Sequence, residues 1–251
     1  MSQQQSAKTI KVNSFGITNT GLRRNNNEDV YYIDNSKGLY LVADGMGGAA
    51  AGELAARIFA DAAQNTVTGS PFRSYEAAVE DIKNTFGLAN QLIRRHTEEY
   101  SNDSGMGCTA ELFLFHSQGY VIGHLGDSRC YRLYGNQFQQ LTKDHSYIQQ
   151  QIDAGLLTRE EARFHRMRNI ILRSVGTDSD FEIDIINGVY SPGEQFLLCS
   201  DGLTDMVDDP QIADGLLSLV SLADKGTNLV QMANGAGGRD NITLVLIEIL
   251  P

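Results

Sequence analysis

Two apolar runs in this chain each stop at an acid followed by glycine: "LYLVADGMGG" at residues 39–48 and "FLLCSDGLTD" at residues 196–205. Runs this apolar read as strands enclosed on both faces, because a half-exposed strand alternates apolar with polar residues. A fold built around them must bury both and still bring a carboxylate to each end. Asp127 in "GHLGDSR" and Asp240 in "GGRDNITL" stand in similar settings, and an acidic pair, Glu28 and Asp29, occurs in "NNNEDVYY". Aspartate before glycine is a common turn, so backbone geometry explains any one of these sites. It does not explain the set. Carboxylates gathered at strand ends repel one another and lose hydration, and a bound cation relieves both costs. Acids without a His or Cys cluster suit a hard ion such as Mg²⁺ or Mn²⁺ and disfavour zinc. Gly45, Gly47 and Gly48 would let backbone carbonyls turn toward that ion and leave room for water and substrate.

The remaining pattern points to an α+β chain with antiparallel sheets. Residues 10–15, 30–33 and 38–43 suit strands, and residues 51–67 suit a helix with Leu54, Ile58 and Ala62 on one face. A longer helix is expected over 75–100, striped by Ala78, Ile82, Phe86, Ala89 and Ile93. Residues 108–142 alternate β-formers with turn signals at 117–119 and 134–136, an antiparallel meander. Residues 144–176 are charged, with short helices expected at 149–157 and 159–164 around Gly155; this reads as an insertion able to move. A strand at 195–199, helices at 211–223 and 227–234, and a terminal strand in "NITLVLIEIL" complete the reading, with residues 1–8 polar and expected to fray.

With 251 residues, 41% of them hydrophobic, the chain has enough apolar material for one large domain over 1–251. The net charge of -11 argues against a nucleic-acid or anionic-membrane binder, which would need clustered Lys and Arg. Cys108, Cys130 and Cys199 are widely spaced and apolar in context, which suggests a reduced, cytoplasmic setting. No basic start with an apolar core opens the chain, and no apolar stretch approaches the ~18 residues that span a bilayer.

Seven ordered motifs, "RNNNED" (24–29), "VADGMGG" (42–48), "GCTA" (107–110), "GHLGDSRCYRL" (123–133), "LTKDHS" (141–146), "LLCSDGLTD" (197–205) and "GGRDNITLVL" (237–246), together resemble the metal-dependent protein serine/threonine phosphatases of type 2C, above all the compact bacterial ones. The resemblance covers residues 12–250. It implies a four-layer α-β-β-α sandwich of two antiparallel sheets flanked by helices, with two tightly bound Mg²⁺ or Mn²⁺ ions at one edge and a third, weaker one. Asp44 would bridge the two ions, the Gly45 carbonyl would bind one, and Asp201 and Asp240 would hold the other. Glu28 and Asp29 would act through waters on the ions, Asn241 would support Asp240 from behind, and Asp127 with Asp201 would form the weaker position. Arg24 corresponds to the arginine that binds phosphate. The implied reaction is hydrolysis of phosphoserine and phosphothreonine in proteins by a water activated between the ions, without a phosphoenzyme, in a chain expected to be monomeric. The segment 145–176 resembles the family's flap, where Arg163, Arg166 and Arg168 would meet substrate or serve as surface charge.

Met46 and Ala49 stand where relatives carry histidine, which leaves the leaving-group acid open; His124, His145 and His165 are candidates by proximity in sequence, with packing the stronger reading for His124 and His145. Cys199 reads as an inert core thiol and Arg129 as the partner of a nearby acid. The competing reading is a catalytically silent relative that binds a regulatory partner. It would be expected to lack metal ligands, and the principal ones are all present.

Overall fold

The computed structural model describes residues 10–179 and 181–251. The expected fraying of residues 1–8 lies outside the described residues. The chain opens with strands β1 (Val12–Asn19), β2 (Asp29–Asp34) and β3 (Leu39–Met46), followed by helices α1 (Ala49–Thr66) and α2 (Tyr75–Glu99). Strands β4 (Gly107–Cys108), β5 (Ala110–His116), β6 (Gly119–Leu125), β7 (Arg129–Tyr134) and β8 (Gln137–Gln140) form the central part. Short helices α3 (Tyr147–Asp153) and α4 (Arg159–Ala162) come next, then β9 (Asp184–Gly188), β10 (Gln195–Cys199), α5 (Asp201–Thr204), α6 (Asp209–Leu217), α7 (Leu222–Gly235) and β11 (Ile242–Ile249).

One antiparallel sheet runs β1-β11-β10-β7-β8 and the other β2-β3-β5-β6-β9, with β4 paired to β3. Residue alternation along the strands assigns the layers. In β3, Leu39, Leu41 and Ala43 pack with Phe59, Ile82 and Phe86 beneath α1 and α2, whereas Tyr40 and Val42 join Phe113, Phe196 and Val245 between the sheets. In β11, Leu244 and Leu246 pack with Ile212 and Leu229 under α6 and α7, while Val245 and Ile247 face the other sheet. A strand with apolar side chains on both faces needs a layer on each side, and the result is an α-β-β-α sandwich.

The α2 stripe is as expected, with all five named residues buried. In α1 the buried line falls on Ala55, Phe59 and Ala63, with Leu54 and Ile58 only partly covered. The expected helix at 211–223 is two helices, because Ser218 ends α6 and Ser221 caps α7 by accepting from the N–H of Asp224 at 3.1 Å. Strand β9, on the sheet edge with half-buried residues, has too weak an alternation to stand out in sequence. Among the described residues no helix is long and apolar enough to cross a membrane.

Candidate active site

At one end of the sandwich the layer between the sheets changes from apolar to polar. The face of β3 that carries Tyr40 and Val42 continues to Asp44, and the face of β2 that carries Ile33 and Tyr31 leads back to Asp29. The same alternation extends Phe196 and Leu198 of β10 to Ser200, and Val245 of β11 to Thr243. Asp29 and Asp44 are direct partners across the β2–β3 pair. Like charges directly opposite destabilise a sheet, so this register has a cost that something else must offset.

Burial, and then Asp29, Asp201, Asp127 and Asp240, push the Asp44 carboxyl well above the usual carboxylate range. Asp201 is driven the same way by burial and by Asp127, Asp205, Asp240 and Asp29. Burial raises Asp29 to about 6, against the hydroxyls of Thr243 and Ser200; Ser200 Oγ donates to Asp29 Oδ2 at 2.8 Å. Burial, with Asp144 adding and Arg129 opposing, raises Asp127 to about 7. Folding therefore brings together acids that lie up to 211 residues apart in the chain, from Asp29 to Asp240.

Oδ1 of Asp29, of Asp127 and of Asp201 is in each case buried without a hydrogen-bond partner. Such oxygens are costly unless something coordinates them. Among the described residues no three His, Cys, Asp or Glu side chains are already drawn to the spacing of a closed ligand cage. The carboxylates ring the edge without converging on one point. Their oxygen-only chemistry and the three orphaned atoms fit hard divalent cations.

Backbone approach explains the glycines. A Cβ on Gly45 would stand 2.1 Å from the Gly52 carbonyl oxygen and 2.7 Å from that of Glu28. The Gly45 N–H donates to the Glu28 carbonyl at 3.2 Å, which locks this strand end to the acidic pair. Glu28 is buried, and its Oε1 accepts from Asn26 at 3.0 Å. At the twin site, a Cβ on Gly202 would lie 1.8 Å from the Asn241 carbonyl oxygen. Asn241 holds Asp240 through its backbone, donating N–H to Asp240 Oδ1 at 2.8 Å. Its side chain instead ties down the loop before β2: Nδ2 donates to the Thr20 and Asn26 carbonyls at 3.0 and 2.9 Å, and Oδ1 accepts from the Glu28 N–H at 2.8 Å. That loop carries Arg24, half exposed, whose Nη2 lies 2.7 Å from Asp240 Oδ2.

Arg129 binds Asp144 through two nitrogens at 2.8 and 2.7 Å and donates to the Tyr131 hydroxyl at 3.0 Å, so it is occupied by neighbours. His124 has both ring nitrogens engaged, by Glu111 and by the Lys143 carbonyl, and His145 is engaged by Gly126 and Asp184. His165 accepts from the Met167 N–H at 3.2 Å. Cys108, Cys130 and Cys199 are free and buried, with thiols pushed up by burial.

Residues 146–171 leave the sheets and return, closed by a bridge between Ser146 and Ile171 and by the Tyr147 N–H donating to the Ile170 carbonyl at 2.9 Å. Its helices are shorter than expected and start two residues earlier at the first, where Ser146 caps α3. Between this segment and α5–α6 lies a cavity of about 390 Å³, lined by Asp127, Asp201, Arg159, Arg163 and Arg168. Arg168 Nε is 3.6 Å from Asp205, and Arg166 is exposed away from the lining.

The sequence profile described as Protein phosphatase 2C matches residues 23–246. The chain belongs to the protein phosphatase 2C family. The protein phosphatase PhpP of Streptococcus pneumoniae is 34% identical over 236 residues, covering 93% of this chain and 96% of that protein. The serine/threonine phosphatase stp of Listeria welshimeri is 34% identical over 238 residues, covering 92% and 93%. The crystal structure of the Mycobacterium tuberculosis serine/threonine phosphatase PstP/Ppp superposes with a TM-score of 0.89 at 32% identity, covering 96% and 99%. A structure of the PstP catalytic domain in complex with two manganese ions superposes with a TM-score of 0.88 at 31% identity, covering 97% and 100%. This protein phosphatase 2C is thus a serine/threonine phosphatase with the sandwich fold of its bacterial relatives.

Sequence reasoning passed over Ser200, Thr243, Thr109 and Glu111. Thr109 donates through its N–H to the Asp44 carbonyl at 2.9 Å, and its hydroxyl lies 2.6 Å from that of Ser128. The missed signal is parity: each of Ser200, Thr243 and Glu111 is the polar residue that continues the inter-sheet face of an apolar strand.

Proposed function

We propose that this chain hydrolyses phosphoserine and phosphothreonine in proteins with the aid of two divalent cations, Mg²⁺ or Mn²⁺, and that Asp44, the Gly45 carbonyl, Asp201 and Asp240 are the groups that would hold them. The observation that carries the reading is the Asp29–Asp44 pair with the orphaned oxygens beside it, an arrangement that is unfavourable until cations arrive. Bound in such a site, paired divalent cations lower the pKa of a water and neutralise phosphoryl oxygens. Glu28 and Asp29 orient water from the β2 side, with Ser200 and Thr243 fixing Asp29. Arg24 offers phosphate a planar fork of donors from the rim. Asn241 positions both by holding the loop between them. Asp127 with Asp201 supplies the third, weaker cation position, beside the cavity under residues 146–171.

No phosphoenzyme enters this reading, and the buried cysteines are poor nucleophiles. With the nitrogens of His124 and His145 committed, solvent at the metal edge protonates the leaving group. The chain acts as a monomer in a reduced cytoplasm. The test is phosphate release from a phosphothreonine peptide with and without Mn²⁺: turnover should need the metal and stop in excess chelator, and activity unchanged by chelator would refute the mechanism. Preference for p-nitrophenyl phosphate with phosphopeptides ignored would instead move the substrate to small phosphomonoesters.

A further inference from the structure

Three ionisable residues stand in one row across the second sheet: Glu111 of β5 is the cross-strand partner of His124 of β6, and His124 is in turn the partner of Asp184 of β9. Glu111 and His124 are fully buried, with 2.5 Å between Glu111 Oε1 and His124 Nδ1. They lie on the inter-sheet face, in step with Phe113 and Ile122, which belong to the apolar layer between the sheets. Replacing a buried charged pair with apolar groups of similar volume is often neutral or stabilising, so stability alone gives no reason for this one.

The row's contacts supply a reason. His124 Nε2 lies 2.8 Å from the carbonyl oxygen of Lys143, to which it donates. Glu111, on the other nitrogen, fixes the ring so that Nε2–H points there, as carboxylates do for metal-bound histidines. The His124 ring packs on that of His145 with centroids 4.5 Å apart. His145 Nδ1 accepts from the Gly126 N–H at 3.1 Å, and the backbone N–H of His145 donates to the Gly126 carbonyl at 2.7 Å. Gly126 precedes Asp127. The His145 carbonyl accepts from the Leu172 N–H at 2.7 Å, and Asp184 binds both His145 Nε2 at 3.2 Å and Arg173 Nη2 at 3.0 Å. One row, buried at Glu111 and His124 and half-buried at Asp184, therefore fastens the outgoing stem of the 146–171 segment, its returning stem, and the turn that presents Asp127.

We infer that Glu111 and His124 are positioning residues for the phosphatase reaction: they set the spacing between the Asp127 turn and both stems of the 146–171 segment, and so tune the weaker cation position without touching substrate. This rests on the reading that Asp127 serves that cation.

The test uses the full chain with Glu111→Leu, Glu111→Gln and Asp127→Ala. Glu111→Leu keeps the volume and removes the direction; Glu111→Gln can still bond Nδ1. Calorimetric Mn²⁺ titration of Glu111→Leu should leave the tight sites unchanged and weaken the weak site about tenfold, the range of outer contacts to a metal site. Amide exchange at residues 143–146 and 171–173 should speed up by a similar factor, with the melting temperature at or above that of the parent. Glu111→Gln should restore weak binding to within about threefold of the parent. Unchanged weak-site affinity and stem exchange in Glu111→Leu would overturn the inference, as would equal loss at all sites with a lower melting temperature, the mark of a purely structural residue. If Asp127→Ala leaves weak binding intact, the cation assignment is what fails; stem exchange in Glu111→Leu then decides the positioning role, faster supporting it and unchanged refuting it.

Discussion

Removing one carboxylate from the acidic edge deletes a ligand and relieves repulsion at once. Asp201 faces Asp127, Asp205, Asp240 and Asp29, so Asp201→Asn should stabilise the metal-free protein by about 1 kcal/mol, roughly 2–4 °C in melting temperature for a chain of this size, measured by calorimetry in chelator. In Mn²⁺ the same variant should lose turnover by at least about a hundredfold. An active, metal-competent variant would contradict the ligand assignment. Arg24 is a different case, because its partner Asp240 sits at the rim and the guanidinium is half exposed. Arg24→Ala should raise both KM for phosphopeptide and the inhibition constant of inorganic phosphate about tenfold, as loss of a charge-assisted pair implies, with Mn²⁺ affinity unchanged or tighter. The sequence marks Asp44 and Asp201 because each ends an apolar run, and Asp240 because it stands just before the terminal one. It does not mark Glu111 or Ser200, since a single polar residue at the end of an apolar strand is silent until the opposite sheet is known to cover it.

Elements differ in how far their own sequence determines them. The α2 stripe follows from periodicity and is as the sequence implies; β3 follows from its apolar run and continues past the expected residue 43 to Met46. β9 depends on pairing with β6, a non-local contact, and the break between α6 and α7 depends on one capping serine inside an otherwise helical stretch. The junction of α5 with β11 is the tightest element contact near the site, because only hydrogen fits between Gly202 and the Asn241 carbonyl. Gly202→Ala should cost about 1–3 kcal/mol, the range for overpacking, read as a lower denaturation midpoint at constant slope. Metal affinity should fall with it, since Asp201 and Asp240 flank that contact.

For the whole molecule, proton binding and cation binding compete. Asp29 at about 6, Asp127 at about 7 and Glu111 at about 7 bind protons more tightly folded than unfolded, where carboxylates titrate near 4. The folded chain then holds extra protons between about pH 4 and 7, so metal-free stability falls as pH rises through that window and levels off above it. His145, lowered to about 4 by burial and by His124 and Arg173, works in the opposite direction but is outnumbered. Scanning calorimetry in chelator should give a lower melting temperature at pH 7.5 than at pH 5; with saturating Mn²⁺ the order should reverse, because the ion replaces those protons. A metal-free melting temperature that rises across the window would refute the account. The enclosure of all three sulfurs has its own consequence. Hydrogen peroxide or iodoacetamide finds no ionised thiol to attack in the folded chain. Turnover by this phosphatase should therefore continue under oxidative stress that silences enzymes relying on a cysteine nucleophile.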